Sequence, residues 1–90
     1  MSINNWPTTE RPRERLLTQG PAALSNTELL AILLGSGTRG RTVIDLSRHL
    51  LTQFGGLAGL LSTDHKQLLA VKGLGQAKVA SIAAILELAK

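Results

Sequence analysis

Gly73-Leu74-Gly75, with Lys72 before it and Gln76-Ala77-Lys78 after it, is the stretch of this chain best placed to do chemistry. Glycine lets a backbone take φ > 0 and lets a ligand approach the main chain closely. The apolar run Leu68-Leu69-Ala70-Val71 before the turn and Val79-Ala80 beyond it read as two helices joined by a hairpin. The opening amides of the second helix have no partner inside that helix, and the peptide dipoles add partial positive charge there. A helix mouth of this kind receives anions, and Lys72 and Lys78 flank it with full charges. The ligand it favours is a nucleic-acid phosphate. The amides of Gly73, Gly75, Gln76 and Ala77 would donate to it, and such contacts position a protein without reading bases. The pattern resembles the helix-hairpin-helix motif, in which a hydrophobic-Gly-hydrophobic-Gly turn grips the sugar-phosphate backbone. The bland alternative is a plain αα-hairpin whose glycines merely fit the turn.

A second stretch echoes the first. Leu30-Ala31-Ile32-Leu33-Leu34-Gly35-Ser36-Gly37 is also an apolar run followed by Gly-x-Gly, with a basic loop, Thr38-Arg39-Gly40-Arg41, behind it. It reads as a degenerate second hairpin, with Ser36 where such a turn wants an apolar residue. Gly37, Thr38, Arg39 and Arg41 are therefore secondary phosphate candidates. Gly35 to Gly40 also matches the spacing of a dinucleotide-binding GxGxxG. That reading needs a preceding strand and an acidic residue about 20 positions on. Asp64 is the one candidate, it lies behind Gly55-Gly56 and Gly59, and the residues before Gly35 announce a helix instead.

Catalytic and metal chemistry find little footing. His49 and His65 are isolated and neither stands at metal-ligand spacing from a carboxylate. The carboxylates are spread singly, and Ser36 and Ser81 have no base nearby in sequence. No catalytic residue, metal ligand or cofactor is expected in this chain, apart from the option of a monovalent cation on a hairpin carbonyl. The absence of cysteine removes disulfides, thiolate nucleophiles and cysteine-type zinc sites.

The elements that must hold the hairpin are helices. Residues 1–24 read as an N-terminal arm and a basic helix. Trp6-Pro7 is the arm's apolar handle, Pro12 sits at a first helical position, and Gly20-Pro21 is the stop. Arg11, Arg13 and Arg15 cluster there, with Glu10 and Glu14 as local partners. Residues 25–90 read as the hairpin-containing unit. Ser25-Asn26-Thr27-Glu28 is a capping box opening a helix that is apolar nearly all round, which should be the most buried one. Thr42 with Asp45 caps the next helix, whose Val43, Leu46, Leu50 and Phe54 recur at helical spacing. Leu57 to Leu61 makes a short helix broken by Gly59, and Ser62 or Thr63 caps the first hairpin helix, from about Asp64 to Val71. A last helix runs from Gln76 to the C-terminus with Val79, Ile82, Ala83, Leu86 and Ala89 on one face. It reaches Lys90 with no stop signal, as though the chain continued. The expected fold is a compact all-α bundle of five or six short helices around Leu30, Ile32, Leu33, Leu46, Leu50, Leu69, Val71, Val79, Ile82 and Leu86.

Bulk composition agrees with a small folded domain. The 90 residues are 43% hydrophobic and 18% charged, with a net charge of +4 that favours polyanionic partners. Aromatic content of 2% leaves almost no platform on which unstacked bases could sit, so single-strand recognition by stacking is not expected. The first residues lack the basic start and apolar run of a signal peptide, and no apolar stretch approaches a membrane span. A cytoplasmic location is the expectation.

The chain resembles the N-terminal region of the RadC family of bacterial proteins over nearly its whole length. The likeness is carried by Pro7-x-x-Glu10-Arg11-Pro12-Arg13-Glu14-Arg15-Leu16-Leu17, by Leu24-Ser25-x-x-Glu28-Leu29-Leu30-Ala31-Ile32-Leu33-Leu34-x-x-Gly37, and by Val71-Lys72-Gly73-Leu74-Gly75-x-Ala77-Lys78. The resemblance implies a helix-hairpin-helix region that precedes a metalloprotease-like domain with a His-x-His and Asp zinc site, which has no counterpart in these 90 residues. It also implies a connection to DNA repair, from which the family takes its name. A looser likeness exists to the helical hairpin domain of base-excision glycosylases. Two functional expectations result. One is sequence-independent DNA binding at the hairpin. The other is a protein-interaction or spacer module that positions the C-terminal domain.

Overall fold

The computed structural model describes residues 11–38 and 40–90. The expectations for Trp6-Pro7, Glu10 and Arg39 fall outside that range. The described residues fold into six α-helices: α1 (Pro12–Gln19), α2 (Asn26–Leu34), α3 (Val43–Gln53), α4 (Leu57–Ser62), α5 (His65–Leu69) and α6 (Gln76–Leu88). A 3₁₀ turn, Pro21–Ala23, links α1 to α2. The described residues contain no strand, only an antiparallel bridge between Thr38 and Arg41. The fold is all-α.

Local chemistry sets most helix starts. Pro12 occupies the first helical position of α1, where a missing N–H costs nothing. The Ser25 hydroxyl accepts from the Glu28 amide at 3.2 Å while the Glu28 carboxylate accepts from the Ser25 amide at 3.0 Å, a complete capping box. The Thr42 hydroxyl accepts from the Asp45 amide and opens α3. At α5 the cap is Asp64 rather than Ser62 or Thr63. The Asp64 carboxylate accepts from the Gln67 amide at 2.9 Å and the Gln67 side chain accepts from the Asp64 amide. Thr63 still contributes, donating its hydroxyl to the same Gln67 side-chain oxygen.

Two expectations about helix phase are corrected. α4 is not broken by Gly59 but runs through it, and glycine stands there because a Cβ would overlap the carbonyl oxygen of Phe54. Gly59 is a close-approach residue that lets the chain double back from α3. Leu69 is 49% exposed and does not belong to the core; Leu68 is fully buried in its place. α5 begins at His65 and turns Leu68 toward the interior, and the turn after it buries Val71 and Leu74 as well.

The core joins Leu30, Ala31 and Leu34 of α2 with Val43, Leu46 and Leu50 of α3, then extends through Leu60, Leu68, Val71 and Leu74 to Val79 and Ile82 of α6. Leu33 and Leu86 pack on it half-buried, and Ile32 is half-buried as well. α2 is the central helix: every residue from Thr27 to Leu34 is buried or half-buried. Ser47 is a fully buried polar residue, satisfied by donating its hydroxyl to the Val43 carbonyl at 2.8 Å. α1 is held to α2 by an ion pair between Arg15 and Glu28, and Arg15 also donates to the Ala23 carbonyl at 2.7 Å. Among the described residues Arg15 therefore pairs across helices with Glu28 rather than with Glu14. Of the expected α6 face, Val79 and Ile82 are buried, Ala83 and Leu86 half-buried, and Ala89 exposed.

Candidate nucleic-acid interface

The hairpin between α5 and α6 is anchored by its own apolar residue. The Leu74 side chain is buried in the core, and its amide donates to the Val71 carbonyl at 3.2 Å. The residues around it face outward: Lys72, Gly73, Gly75, Gln76 and Ala77 are all exposed. The amides of Gly73, Gly75, Gln76 and Ala77 take no hydrogen-bond acceptor among the described residues, whereas Val79 closes the first helical bond to the Gly75 carbonyl at 3.1 Å. No side chain caps the N-terminus of α6. The mouth of this helix is thus a set of outward-facing donors carrying the positive end of a helix dipole.

The two glycines of the turn differ in what the fold asks of them. Gly73 has φ of 87°, a left-handed conformation that strains any side chain. Gly75 has φ of −70°, open to every residue, and nothing lies within 4 Å of the position a Cβ would take. Neither backbone conformation nor packing demands glycine at 75. What glycine leaves there is open space at the N-cap of a helix whose first amides are unpaired among the described residues.

The two flanking lysines also part company. Lys72 is exposed, with no ion pair or hydrogen bond among the described residues. Lys78 is half-buried, and its ammonium donates to the Leu34 carbonyl and to the Ser36 hydroxyl, both at 3.1 Å. Those are the end of α2 and the middle of the Gly35-Ser36-Gly37 turn. The two Gly-x-Gly turns therefore lie side by side, tied by Lys78. Thr38 belongs to the same junction, its hydroxyl 3.8 Å from where a Gly73 Cβ would stand. The polar Ser36, out of place for a second hairpin by sequence, is here an acceptor for Lys78. Sequence reasoning missed that role, and its one trace was a hydroxyl where the motif pattern asks for an apolar residue.

The secondary candidates among the described residues also line a separate cleft, although Thr38 reaches the hairpin junction too. Gly37, Thr38 and Arg41 line a cleft of about 700 Å³ between α1 and the start of α3, whose walls also include Arg13, Thr42 and Asp45. Residues 72–78 are not on its walls. Gly37 has a packing reason to be glycine, since a Cβ there would collide with the Arg41 carbonyl and the Thr42 backbone. The Arg41 guanidinium has no ion-pair partner among the described residues. Thr38 and Arg41 close their turn with reciprocal backbone hydrogen bonds of 3.0 Å. Among the described residues no group of three His, Cys, Asp or Glu side chains could hold a metal ion. No helix of the described residues is long and apolar enough to cross a membrane.

Comparison with known proteins matches this architecture to a sequence family. The family described as UPF0758 N-terminal matches residues 3–80. A UPF0758 protein of Aeromonas hydrophila is 54% identical over 90 residues, covering 100% of this chain and 40% of its own length. UPF0758 proteins of Marinobacter nauticus and Pseudomonas syringae pv. tomato are 52% and 53% identical over the same span, again over 40% of their own length. The chain thus spans about 40% of the length of the curated relatives it matches. No solved structure matches it. The chain belongs to the UPF0758 family, as the N-terminal region of this RadC-like group of longer proteins.

Proposed function

We propose that this chain is a non-enzymatic DNA-binding module, which holds the phosphate backbone at the α5–α6 hairpin without reading sequence. The observation that carries the reading is Gly75, a glycine that the fold does not require, standing at the N-cap of a helix with no side-chain cap among the described residues and with nothing within 4 Å of the position of its Cβ. A phosphate seated there accepts from the amides of Gly75, Gln76 and Ala77, and the Lys72 ammonium neutralises it. Thr38 adds a hydroxyl at the edge of the same junction. Lys78 contributes charge but spends its hydrogen bonds on the protein. Contacts of this kind give weak, salt-sensitive affinity. A connection to DNA repair, in a cytoplasmic setting, would follow from such binding in the full-length protein.

The test is fluorescence anisotropy with a labelled duplex across a salt series. Binding should weaken by about one log unit in affinity per log unit of salt for each phosphate neutralised. Lys72→Glu should lower the affinity at low salt and reduce that slope by about one. Absence of salt-dependent binding, with Lys72→Glu silent, removes the proposal. The second reading, an interaction or spacer module for a C-terminal metalloprotease-like domain, is favoured by a different surface, the outer face of α6.

A further inference from the structure

α6 carries an unusual surface for a helix at the edge of a small domain. No residue from Val79 to Leu86 is charged, and only Lys78 and Glu87 carry charge between Gln76 and Leu88. Its apolar residues circle the axis instead of forming a stripe. One side, Val79 and Ile82, is buried against the core. The other presents Ala80, Ala84, Ile85 and Leu88 to solvent, with Ile85 44% and Leu88 83% exposed, and the one polar residue between Val79 and Leu86, Ser81, turns its hydroxyl back onto the Ala77 carbonyl at 3.1 Å. Positions 80, 84 and 88 stand one turn apart on one row, and Ile85 lies next to that row. α3 shows how the same fold treats an outer face that meets water. Its buried positions are Val43, Leu46, Ser47 and Leu50, and its exposed ones are Asp45, Arg48, Thr52 and Gln53. A helix that is apolar all round is normally enclosed on all sides.

We propose that the outer face of α6 is the docking surface for the larger remaining part of the UPF0758 chain, the region that the relatives carry beyond these 90 residues. The lengths point to that occupant. Each relative is matched over the whole of this chain but over only 40% of itself, so most of its polypeptide is covalently tethered to this helical unit. Tethering replaces a bimolecular encounter with an effective concentration of roughly millimolar, at which a narrow strip is enough. The alanines let a facing backbone approach closely, and Ile85 and Leu88 supply the apolar area. The inference is independent of the DNA-binding reading. At about 1.5 Å per residue, Ala80 lies roughly 6 Å along the helix from Gln76, but the larger side chains of the strip, Ile85 and Leu88, lie roughly 14 and 18 Å away, which leaves room for the hairpin to be occupied at the same time.

The test uses a full-length hybrid in which these 90 residues replace the matching region of the Aeromonas hydrophila relative. Amide hydrogen exchange is followed in the 90-residue chain and in the hybrid, with Ala84→Glu and Ile85→Glu in both. The expected result is exchange at Ala84 and Ile85 slowed by ~10-fold or more in the hybrid, with protection lost in either variant. Both variants should leave the melting temperature of the 90-residue chain unchanged, which separates loss of docking from loss of folding. Equal α6 exchange in the two proteins overturns the proposal. Concentration-dependent dimers of the 90-residue chain, abolished by Ile85→Glu and persisting in the hybrid, also overturn it, because they assign the strip to a second copy. DNA affinity unchanged by Ile85→Glu keeps this outcome distinct from the fate of the hairpin.

Discussion

The Lys78 ammonium, in the first turn of α6, lies 3.1 Å from the carbonyl oxygen of Leu34, the last residue of α2. A cation in the first turn of its own helix is on the unfavourable end of that dipole, yet it meets the favourable C-terminal end of another. The contact caps α2 and fixes the two glycine turns against each other. A residue that by sequence alone was a phosphate ligand is, in the fold, chiefly a clamp.

Lys72 and Lys78 should therefore respond differently to removal. Lys78→Met is expected to cost about 1 kcal/mol of stability, since a charged hydrogen-bond pair at a half-buried site is lost. Lys72→Met should leave stability within about 0.5 kcal/mol and act on DNA affinity alone. Chemical denaturation of both variants beside the anisotropy series checks the split.

Gly75 and Gly73 make a second contrasting pair. Gly75→Asp places an N-cap carboxylate over the free amides of α6, which should preserve stability or raise it by a few tenths of a kcal/mol. The same carboxylate occupies the phosphate position, so duplex binding should vanish. Gly73→Ala forces a side chain into the left-handed region and should cost about 1–2 kcal/mol. For a domain of this size that is a fall in Tm of roughly 4–16 °C. Thermal melts and binding isotherms on both proteins decide it, and a Gly75→Asp protein that still bound duplex DNA would discard the helix mouth as the site.

Leu68 and Leu69 test the register of α5. Leu68→Ala removes a fully buried side chain and is expected to cost about 2–5 kcal/mol. Leu69→Ala, at a half-exposed position, should cost well under about 1 kcal/mol. Urea titration reads the difference, and equal losses would mean that the helix is rotated.

Glu28 has two duties that substitution separates. Its carboxylate completes the Ser25 capping box and also pairs with Arg15. Glu28→Gln keeps a side-chain acceptor for the Ser25 amide while losing the charge, and should cost less than about 1 kcal/mol. Glu28→Ala loses both and should cost about 1–2 kcal/mol. Arg15→Ala in the Glu28→Gln background should then add little, as a double-mutant cycle would show.

Features encoded within about four residues were legible in the sequence. Pro12 at a helix start, the Ser25–Glu28 box, the Thr42–Asp45 cap and the hairpin glycines all act locally, so their spacing alone announces them. α5 was harder because five residues make too short a helix for periodicity to choose between Leu68 and Leu69. Gly59 looked like a break because its reason, the Phe54 carbonyl, is a packing contact rather than a local preference. The partners of Lys78 and Arg15 are the product of the tertiary fold. Leu34 lies 44 residues from Lys78 and Glu28 lies 13 from Arg15, distances at which no local pattern speaks. For the candidate site, the hairpin was readable, but the division of labour between its two glycines and two lysines was not.

The unequal obligations of Gly73 and Gly75 have a consequence for how this family can diverge. If the DNA-binding proposal holds, a member that no longer meets a polyanion is free to exchange the second glycine for any residue, while the first stays under constraint from the turn itself. Loss of the second with retention of the first would then mark, in a homologue's sequence, a domain that kept its shape after giving up its ligand.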